Sequence, residues 1–600
     1  MWEIVGLSEK KDTYTLTVDN GQTIKVGKAK NGRRAIAIGN GKPVMCSQIT
    51  TKTLPDYPTK DLTAFKDNGY RTGDTATVVG WLKDCPKEVL DKNNEFEVMT
   101  TSLFNPLNEI NAYGKMDSLG RFTVKMPLEN TQEVVFSDWQ RTVLEPGETY
   151  FYLHDYKTGQ QLMMGSNARV QNELMAHDIE SKEFVRLDKD GMTAEEAIDH
   201  KNRWAVAYEH NNAHLDSVLT KYPTLSRCYE DYQRMDCLMD MSKNVMQAVF
   251  NTSSWKLPAE VVAYVDTQVW PNLPKPFTLS SDFGDFIRYY QYNAEQGSAK
   301  VQQQEPSSDT LRRLAKAGLM SLSQDEDDLL TRWDEAGVAY RSASPSDYAE
   351  LDKKYDNDKK AVLALYARED TKAAIATLDP LTAKTELADS LYADPQLRDV
   401  AKASLMCQYI NQERTPLTDN QQALTATIQI PGVKQTVLSL NDKYLALQRR
   451  DISKMQSLKA NDDVAGMSDG EQILRKITEP YRGRLVLLDV WGTWCAPCKA
   501  ALANSKEEYE RLKDYNLVYL YLANRSEDEA WKNVIKEYDL LGDDIVHYNL
   551  PAEQQSAVER FLNVHSFPSY RLIDRDGTVL DVNADPRNLE RLAGVLEKLK

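Results

Sequence analysis

The stretch Leu485-Val486-Leu487-Leu488-Asp489-Val490-Trp491-Gly492-Thr493-Trp494-Cys495-Ala496-Pro497-Cys498-Lys499 decides the fold of its part of the chain. A short apolar run leads through a tryptophan-flanked turn into two cysteines separated by two residues. Behind them Ala500-Ala501-Leu502-Ala503 strongly favours helix, so the order is strand, turn, Cys-x-x-Cys, helix. Cys495 therefore sits where a helix begins. The unpaired N–H groups and the positive dipole end there favour a thiolate over a thiol. A thiolate is the attacking species in thiol–disulfide exchange, and Cys498, one turn further on, is placed to resolve a mixed disulfide. Pro497 lacks an N–H, a loss the first helical turn tolerates, and it stiffens the loop.

A Cys-x-x-Cys pair is also half of a zinc site. No second cysteine pair or His-x-x-x-His completes four ligands nearby, and His547 and His565 stand alone, so the strand–turn–helix context points to redox chemistry. Asp489 lies six residues before Cys495 inside an otherwise apolar strand, where a carboxylate is costly to bury without a purpose. Further on, Val564-His565-Ser566-Phe567-Pro568-Ser569-Tyr570 leads into a second strand, Tyr570-Arg571-Leu572-Ile573, and the turn Asp576-Gly577. Proline is allowed at a strand's first residue, and a cis bond there would let the backbone approach the sulfurs.

Together these residues resemble the thioredoxin superfamily, specifically the TlpA/ResA-like thiol–disulfide oxidoreductases. The resemblance covers roughly residues 470–600. It implies that Cys495 is the nucleophile, Cys498 the resolving cysteine, Asp489 the buried acid and Pro568 the cis-proline, with Trp494 and Phe567 contacting substrate. The sequence departs from the family in its Ala-Pro dipeptide between the cysteines, where Gly-Pro is commoner, and in Ser569, where threonine is usual. Glu471–Ile477 reads as a helix where the family often has an extra hairpin.

A formal net charge of −17 over 600 residues argues against nucleic-acid binding and against docking on anionic lipid. Hydrophobic content of 41% and charged content of 27% are those of an ordinary globular chain. Its length suggests about four domains, and no apolar run approaches the ~20 residues of a membrane span. Met1-Trp2-Glu3 opens directly into folded-looking sequence with no leader pattern. The resemblance implies a periplasmic or cell-envelope setting, including lipoproteins whose leader has been removed; a cytoplasmic chain is the alternative. Seven cysteines is an odd number. Cys228 and Cys237 are about 13.5 Å apart along one predicted helix, beyond the ~7 Å that a disulfide spans. They and Cys407 read as small core residues, and Cys46 with Cys85 is the one other pairing to weigh.

In chain order, residues 1–165 form a β-rich N-terminal region of one or two small antiparallel units. Tyr14, Leu16 and Val18 share a face before the hairpin turn Asn20-Gly21. After the proline-bearing connection Leu54-Pro55-Asp56-Tyr57-Pro58, Thr75–Trp81, Glu95–Thr101, Arg121–Lys125 and Glu133–Phe136 read as strands. From 166 the period becomes helical, with Leu225, Cys228, Tyr229, Tyr232, Met235 and Met239 on one face. His210 and His214 are a turn apart near His200, a spacing that could hold a metal but lacks the zincin glutamate, so a solvated face is expected. Helical domains are predicted over 166–295 and 309–455, separated by a polar linker through Gln302-Gln303-Gln304. The run Asp325-Glu326-Asp327-Asp328 reads as a solvated helix start. Lys459–Glu471 reads as a second linker, into a thioredoxin-like α/β domain at 470–600.

The fold class expected is thus multidomain: N-terminal antiparallel β, all-α middle, C-terminal thioredoxin-like α/β. The expected activity is reduction of protein disulfides through the Cys-Ala-Pro-Cys dithiol. The cysteine pair carries the electrons, so no cofactor or metal is required. Protein disulfides are the substrates and an external thiol is the electron donor. A partner- or ligand-binding protein with an accessory redox domain is the rival from another class. A disulfide oxidase or isomerase would use the same residues at a higher potential.

Overall fold

The computed structural model describes residues 4–600 apart from 31–32, 48–56, 58, 66–69, 71–73, 93, 106–108, 139, 166–167, 178, 180–184, 186, 188–190, 274–278, 344–346 and 453–454. All but Tyr57 of the expected proline-bearing connection lies outside the described residues. The chain forms two compact units, residues 1–401 and 402–600.

The first unit begins with a five-stranded antiparallel meander from Ile4–Lys10 to Val44–Ser47. Tyr14 pairs with Val26 and Leu16 with Ile24 across the Asn20-Gly21 turn, and Gly21 takes the positive φ of 81° that a tight turn requires. Two four-stranded sheets follow and share one core. Val78, Val124 and Met126 of one sheet meet Phe96, Val98 and Phe136 of the other. The pairing is not wholly antiparallel. Thr149–Asp155 runs parallel to Asp74–Lys83, a crossover that local alternation does not reveal.

Helices then take over, as the change of period predicts. Ala194–Lys221 opens with a Thr193/Glu196 capping box, and His210 and His214 are exposed on it. Arg227–Gln247 buries Tyr229, Tyr232, Met235 and Met239. Cys237 and Cys407 are buried, whereas Cys228 is half-buried with its Sγ 3.2 Å from the Thr63 carbonyl. The expected linker at 296–308 is instead ordered structure. Ser298 caps the helix Ala299–Gln302 and Ser307 caps Ser308–Lys316, with Val301 fully buried between them. Ser298 and Ser307, read as linker residues, are helix caps. The acidic run does begin a helix, Gln324–Ser342, behind a Ser323/Glu326 capping box.

The boundary between the units falls inside Pro395–Glu413, within the segment 309–455 expected to be one helical domain. The physical reason is where residues 402–469 bury their side chains. Ile452 joins the core of the α/β part and Val464 joins the core on its other side. The expected linker 459–471 is likewise ordered: His547 N–H donates to the Ser457 carbonyl at 2.7 Å, and Lys459 N–H donates to the His547 carbonyl at 3.0 Å.

The second unit is built on a mixed five-stranded sheet. Its order is Ile545–Tyr548, Leu517–Ala523, Leu485–Trp491, Ser569–Ile573, Val579–Leu580. The first three strands are mutually parallel, and the last two are antiparallel to their neighbours. The central strand Leu485–Trp491 is buried on both faces, which is why it reads as a continuous apolar run. Val486, Leu488 and Val490 pack on one side against Gly470–Thr478 and Ala552–Phe561. These two helices cross so closely that a Cβ on Gly470 would lie 2.1 Å from the Ala557 carbonyl oxygen. Leu485, Leu487 and Trp491 face the other side, in one core with Cys495, Cys498, Leu502, Leu512 and Leu592. No described helix is long and apolar enough to cross a membrane.

Candidate active site

The central strand ends at Trp491 and the chain turns through Gly492-Thr493-Trp494 into the helix Ala496–Leu502. Four bonds fix the turn. Cys495 N–H donates to the Gly492 carbonyl at 3.0 Å and Asn524 N–H to the Trp491 carbonyl at 2.7 Å. Thr493 N–H donates to Ser526 Oγ at 3.0 Å, and Trp494 Nε1 donates to the Asn524 carbonyl at 3.1 Å. The indole lies so close that a Cβ on Gly492 would be 2.6 Å from Trp494 Nε1, so only glycine leaves it this seat.

Cys495 is the N-cap of the helix, and its Sγ accepts the Cys498 N–H at 3.1 Å. The two cysteines form a disulfide with Cα atoms 5.3 Å apart. Cys46, Cys85 and Cys228 are free thiols. Cys498 is fully buried and Cys495 is 3% exposed. Neighbouring Lys499 is held down to about 8, by burial first and then by the Arg414 guanidinium.

Beside the disulfide, Trp494 is 45% exposed and packs edge-on against Phe567 with ring centroids 5.2 Å apart. The Arg525 guanidinium lies over the Trp494 ring, 5.3 Å from its centroid. The Phe567–Pro568 peptide bond is cis, and Ser569 then begins the strand that pairs with Val490. Phe567 packs against the core that holds both cysteines. Thus the two sequence motifs, seventy residues apart, meet at one rim.

Asp489 lies on the strand face between Leu487 and Trp491, flanked by Tyr521 on one neighbouring strand and Tyr570 on the other. It is 7% exposed, and its Oδ1 finds no hydrogen bond among the described residues. Its carboxyl is pushed well above the usual range, by burial first, then by Glu508 and Asp585, with Arg587 opposing.

The burial of two groups here, Glu508 and His547, is not read from the sequence. Glu508 sits in Lys506-Glu507-Glu508-Tyr509-Glu510, which looks like a solvated helix face. Yet Ser505, Glu508 and Leu512 form the buried stripe of Ser505–Leu512. That i, i+3, i+7 spacing was the available signal. Burial and Asp585 raise Glu508 to about 8. His547 is fully buried, stacks on Tyr521 at 4.8 Å and places Nε2 2.8 Å from the Leu540 carbonyl. Burial lowers it to about 4, so it is neutral. No group of three or more His, Cys, Asp or Glu among the described residues is arranged to hold a metal.

A thioredoxin-like family profile matches residues 483–579, the span that holds the disulfide, Asp489 and the cis-proline. The C-terminal domain is thioredoxin-like. Thiol-disulfide oxidoreductase ResA of Bacillus cereus is 29% identical to the thioredoxin-like domain over 118 residues, 20% of this chain and 65% of the relative. ResA of Bacillus thuringiensis is 29% identical over 119 residues, again 65% of its length. The chain thus covers less than two thirds of these relatives and extends far beyond them. Among solved structures, the thioredoxin domain of a Bacteroides vulgatus thiol-disulfide oxidoreductase is 20% identical over 20% of this chain and 84% of its own, with a TM-score of 0.18.

Proposed function

We propose that the chain is a thiol–disulfide oxidoreductase that reduces disulfides in other proteins. The observation that carries this reading is the Cys495–Cys498 disulfide at a helix start, in one core with the strand face bearing an unpartnered buried acid, Asp489. In the dithiol form the Cys495 thiolate attacks one sulfur of a substrate disulfide. That S–S bond breaks, the departing thiolate takes a proton, and Cys495 carries the rest as a mixed disulfide. Cys498 then attacks Cys495 Sγ while its proton passes to Asp489, and the second substrate thiol leaves. Two electrons have passed to the substrate, and an external thiol restores the dithiol.

Trp494 and Phe567 offer the apolar contact for substrate, and the backbone at Pro568 offers an edge for strand pairing. Residues before the thioredoxin-like domain serve to hold or select protein substrates, raising their concentration at Cys495. The resemblance to TlpA/ResA-like enzymes supports a periplasmic or cell-envelope setting. The test is dithiothreitol-driven reduction of a protein disulfide by the full chain. Activity that disappears in Cys495→Ser supports the reading; a wild-type chain no faster than dithiothreitol alone overturns it.

A further inference from the structure

Asp489 and Glu508 line one small cavity with Ser505, Tyr519, Tyr521 and Tyr570. Its volume is about 10 Å³, room for the centre of one water molecule. Two of the wall's hydroxyls are already engaged. Ser505 Oγ donates to the Leu502 carbonyl at 2.7 Å, and the Tyr521 and Tyr509 hydroxyls bond each other at 2.7 Å. Three buried polar atoms make no hydrogen bond among the described residues: Asp489 Oδ1, Tyr519 OH and Tyr570 OH. Buried polar groups are ordinarily satisfied, and a water needs two to four such partners. Asp489, Tyr519 and Tyr570, which carry these three atoms, all line the cavity.

The charged and titratable groups around this point are few. Tyr519 and Tyr521 come from one flanking strand and Tyr570 from the other, while Glu508 and Tyr509 come from the helix Ser505–Leu512. Cys498 comes from the helix above and shares the core of this strand face. Pro586 lines the cavity, and the residues on either side of it form an ion pair, Arg587 Nη2 to Asp585 Oδ2 at 2.5 Å. Arg587 is the one cation among these groups. Two carboxyls in so dry a site do not both ionise near neutrality. Burial raises both, and Glu508 keeps 9% exposure.

We propose that Glu508 is the second station of the proton path for the Cys495–Cys498 couple, linked to Asp489 by a water held on Tyr519 and Tyr570 and passing the proton on to solvent. This rests on the reading of Asp489 given above. When a thiol donor reduces the disulfide, its thiolate attacks Cys495 Sγ, the S–S bond breaks and Cys498 leaves as a thiolate. Asp489 protonates Cys498, Glu508 returns a proton to Asp489 through the water, and solvent restores Glu508. A second donor thiolate then displaces Cys495 and closes the two-electron balance. During substrate reduction the path empties from its outer end: Glu508 releases its proton to solvent, Asp489 passes its own to Glu508 through the water, and the emptied Asp489 takes the Cys498 proton. Glu508 touches no reacting sulfur, so it is a positioning and relay residue.

The test follows reduction of the full chain's own disulfide by dithiothreitol through tryptophan fluorescence, with rates corrected for donor thiolate at each pH. Wild type loses rate as pH passes about 8, where Glu508 gives up its proton. Glu508→Gln lowers the rate at pH 7 about tenfold and abolishes that inflection, a smaller loss than the about hundredfold expected of Asp489→Asn. Glu508→Asp, which keeps a carboxyl, restores the inflection. A Glu508→Gln chain with the wild-type profile overturns the proposal. So does one slowed equally at every pH with the inflection kept, which is a packing defect. If Glu508→Gln fails to fold, Glu508→Asp decides alone: an inflection near the wild-type pH supports the relay and its absence overturns it. An Asp489→Asn chain of normal profile removes both Asp489 and Glu508 from the proton path. A profile altered by Asp489→Asn alone removes only Glu508.

Discussion

The side-chain amide of Asn533, fully buried on the helix Asp528–Glu537, donates to the backbone carbonyl of Arg414 at 2.9 Å. Arg414 in turn places Nη1 2.7 Å from the Tyr444 hydroxyl and 3.2 Å from Glu537 Oε2. Lys443 closes the group on Glu537 at 2.5 Å. Arg414, Lys443 and Tyr444, all well before the thioredoxin-like core, thus complete its hydrogen bonding.

The first prediction concerns the folding unit. A fragment of residues 402–600 is expected to unfold cooperatively, and one of residues 470–600 to be markedly weaker. Truncation at 470 strands the Asn533 amide, frees the outer edge of Ile545–Tyr548 at His547 and removes Ile452 and Val464 from the cores. Each buried polar group left unpaired costs about 1–3 kcal/mol, so a loss of at least ~3 kcal/mol is expected. Urea unfolding of the two fragments measures it, and equal midpoints would count against the account.

The second prediction concerns the division of labour between the sulfurs. Cys498→Ser should accumulate mixed disulfides on Cys495, whereas Cys495→Ser should accumulate none. The motive is geometric: Cys495 Sγ accepts the Cys498 N–H at the helix start, and Cys498 is fully buried. Iodoacetamide should label Cys495 of the reduced chain first. Faster labelling of Cys498 at neutral pH reverses the roles.

Much of this site is legible in the sequence because local rules and function agree there. The apolar run 485–491, the cysteine spacing, Asp489 and Phe567-Pro568 each carry their own signal, and the fold joins them. What was illegible depends on contacts across the chain. Glu508 lies in a run of charges whose burial depends on Tyr519 and Tyr570, eleven and sixty-two residues on. Ser298 and Ser307 look like linker residues until the helices they cap are known to have partners. The parallel pairing of Thr149–Asp155 with Asp74–Lys83 joins strands separated by others, and alternation along a strand says nothing about direction.

The third prediction follows from the raised carboxyl. Above about pH 4 the unfolded chain releases the Asp489 proton, while the folded chain, with its pKa raised mainly by burial, keeps it. The folded state therefore holds the extra proton, and this carboxyl's contribution to stability falls as pH rises toward its folded value. Asp489→Asn should raise the Tm of the oxidised protein at pH 8, with the gain vanishing toward pH 4. A calorimetric gain that instead grows toward acid would contradict this sign.

The fourth prediction has the opposite slope. His547 is lowered to about 4 by burial, so below its unfolded value of about 6.5 the unfolded chain binds the proton and the folded chain does not. The stability held above pH 6.5 is lost as pH falls through this window, by about 3 kcal/mol in all. His547→Gln should flatten that part of the stability profile relative to wild type. An identical acid dependence in the two proteins would locate the effect elsewhere.

The reduction potential of the Cys495–Cys498 couple tests the central claim most directly. Equilibration of the full chain with glutathione redox buffers, followed by alkylation and mass measurement, gives it. A protein-disulfide reductase is expected near the reducing end of the known range, around −270 mV. A value near −120 mV would mark an oxidant and contradict the account.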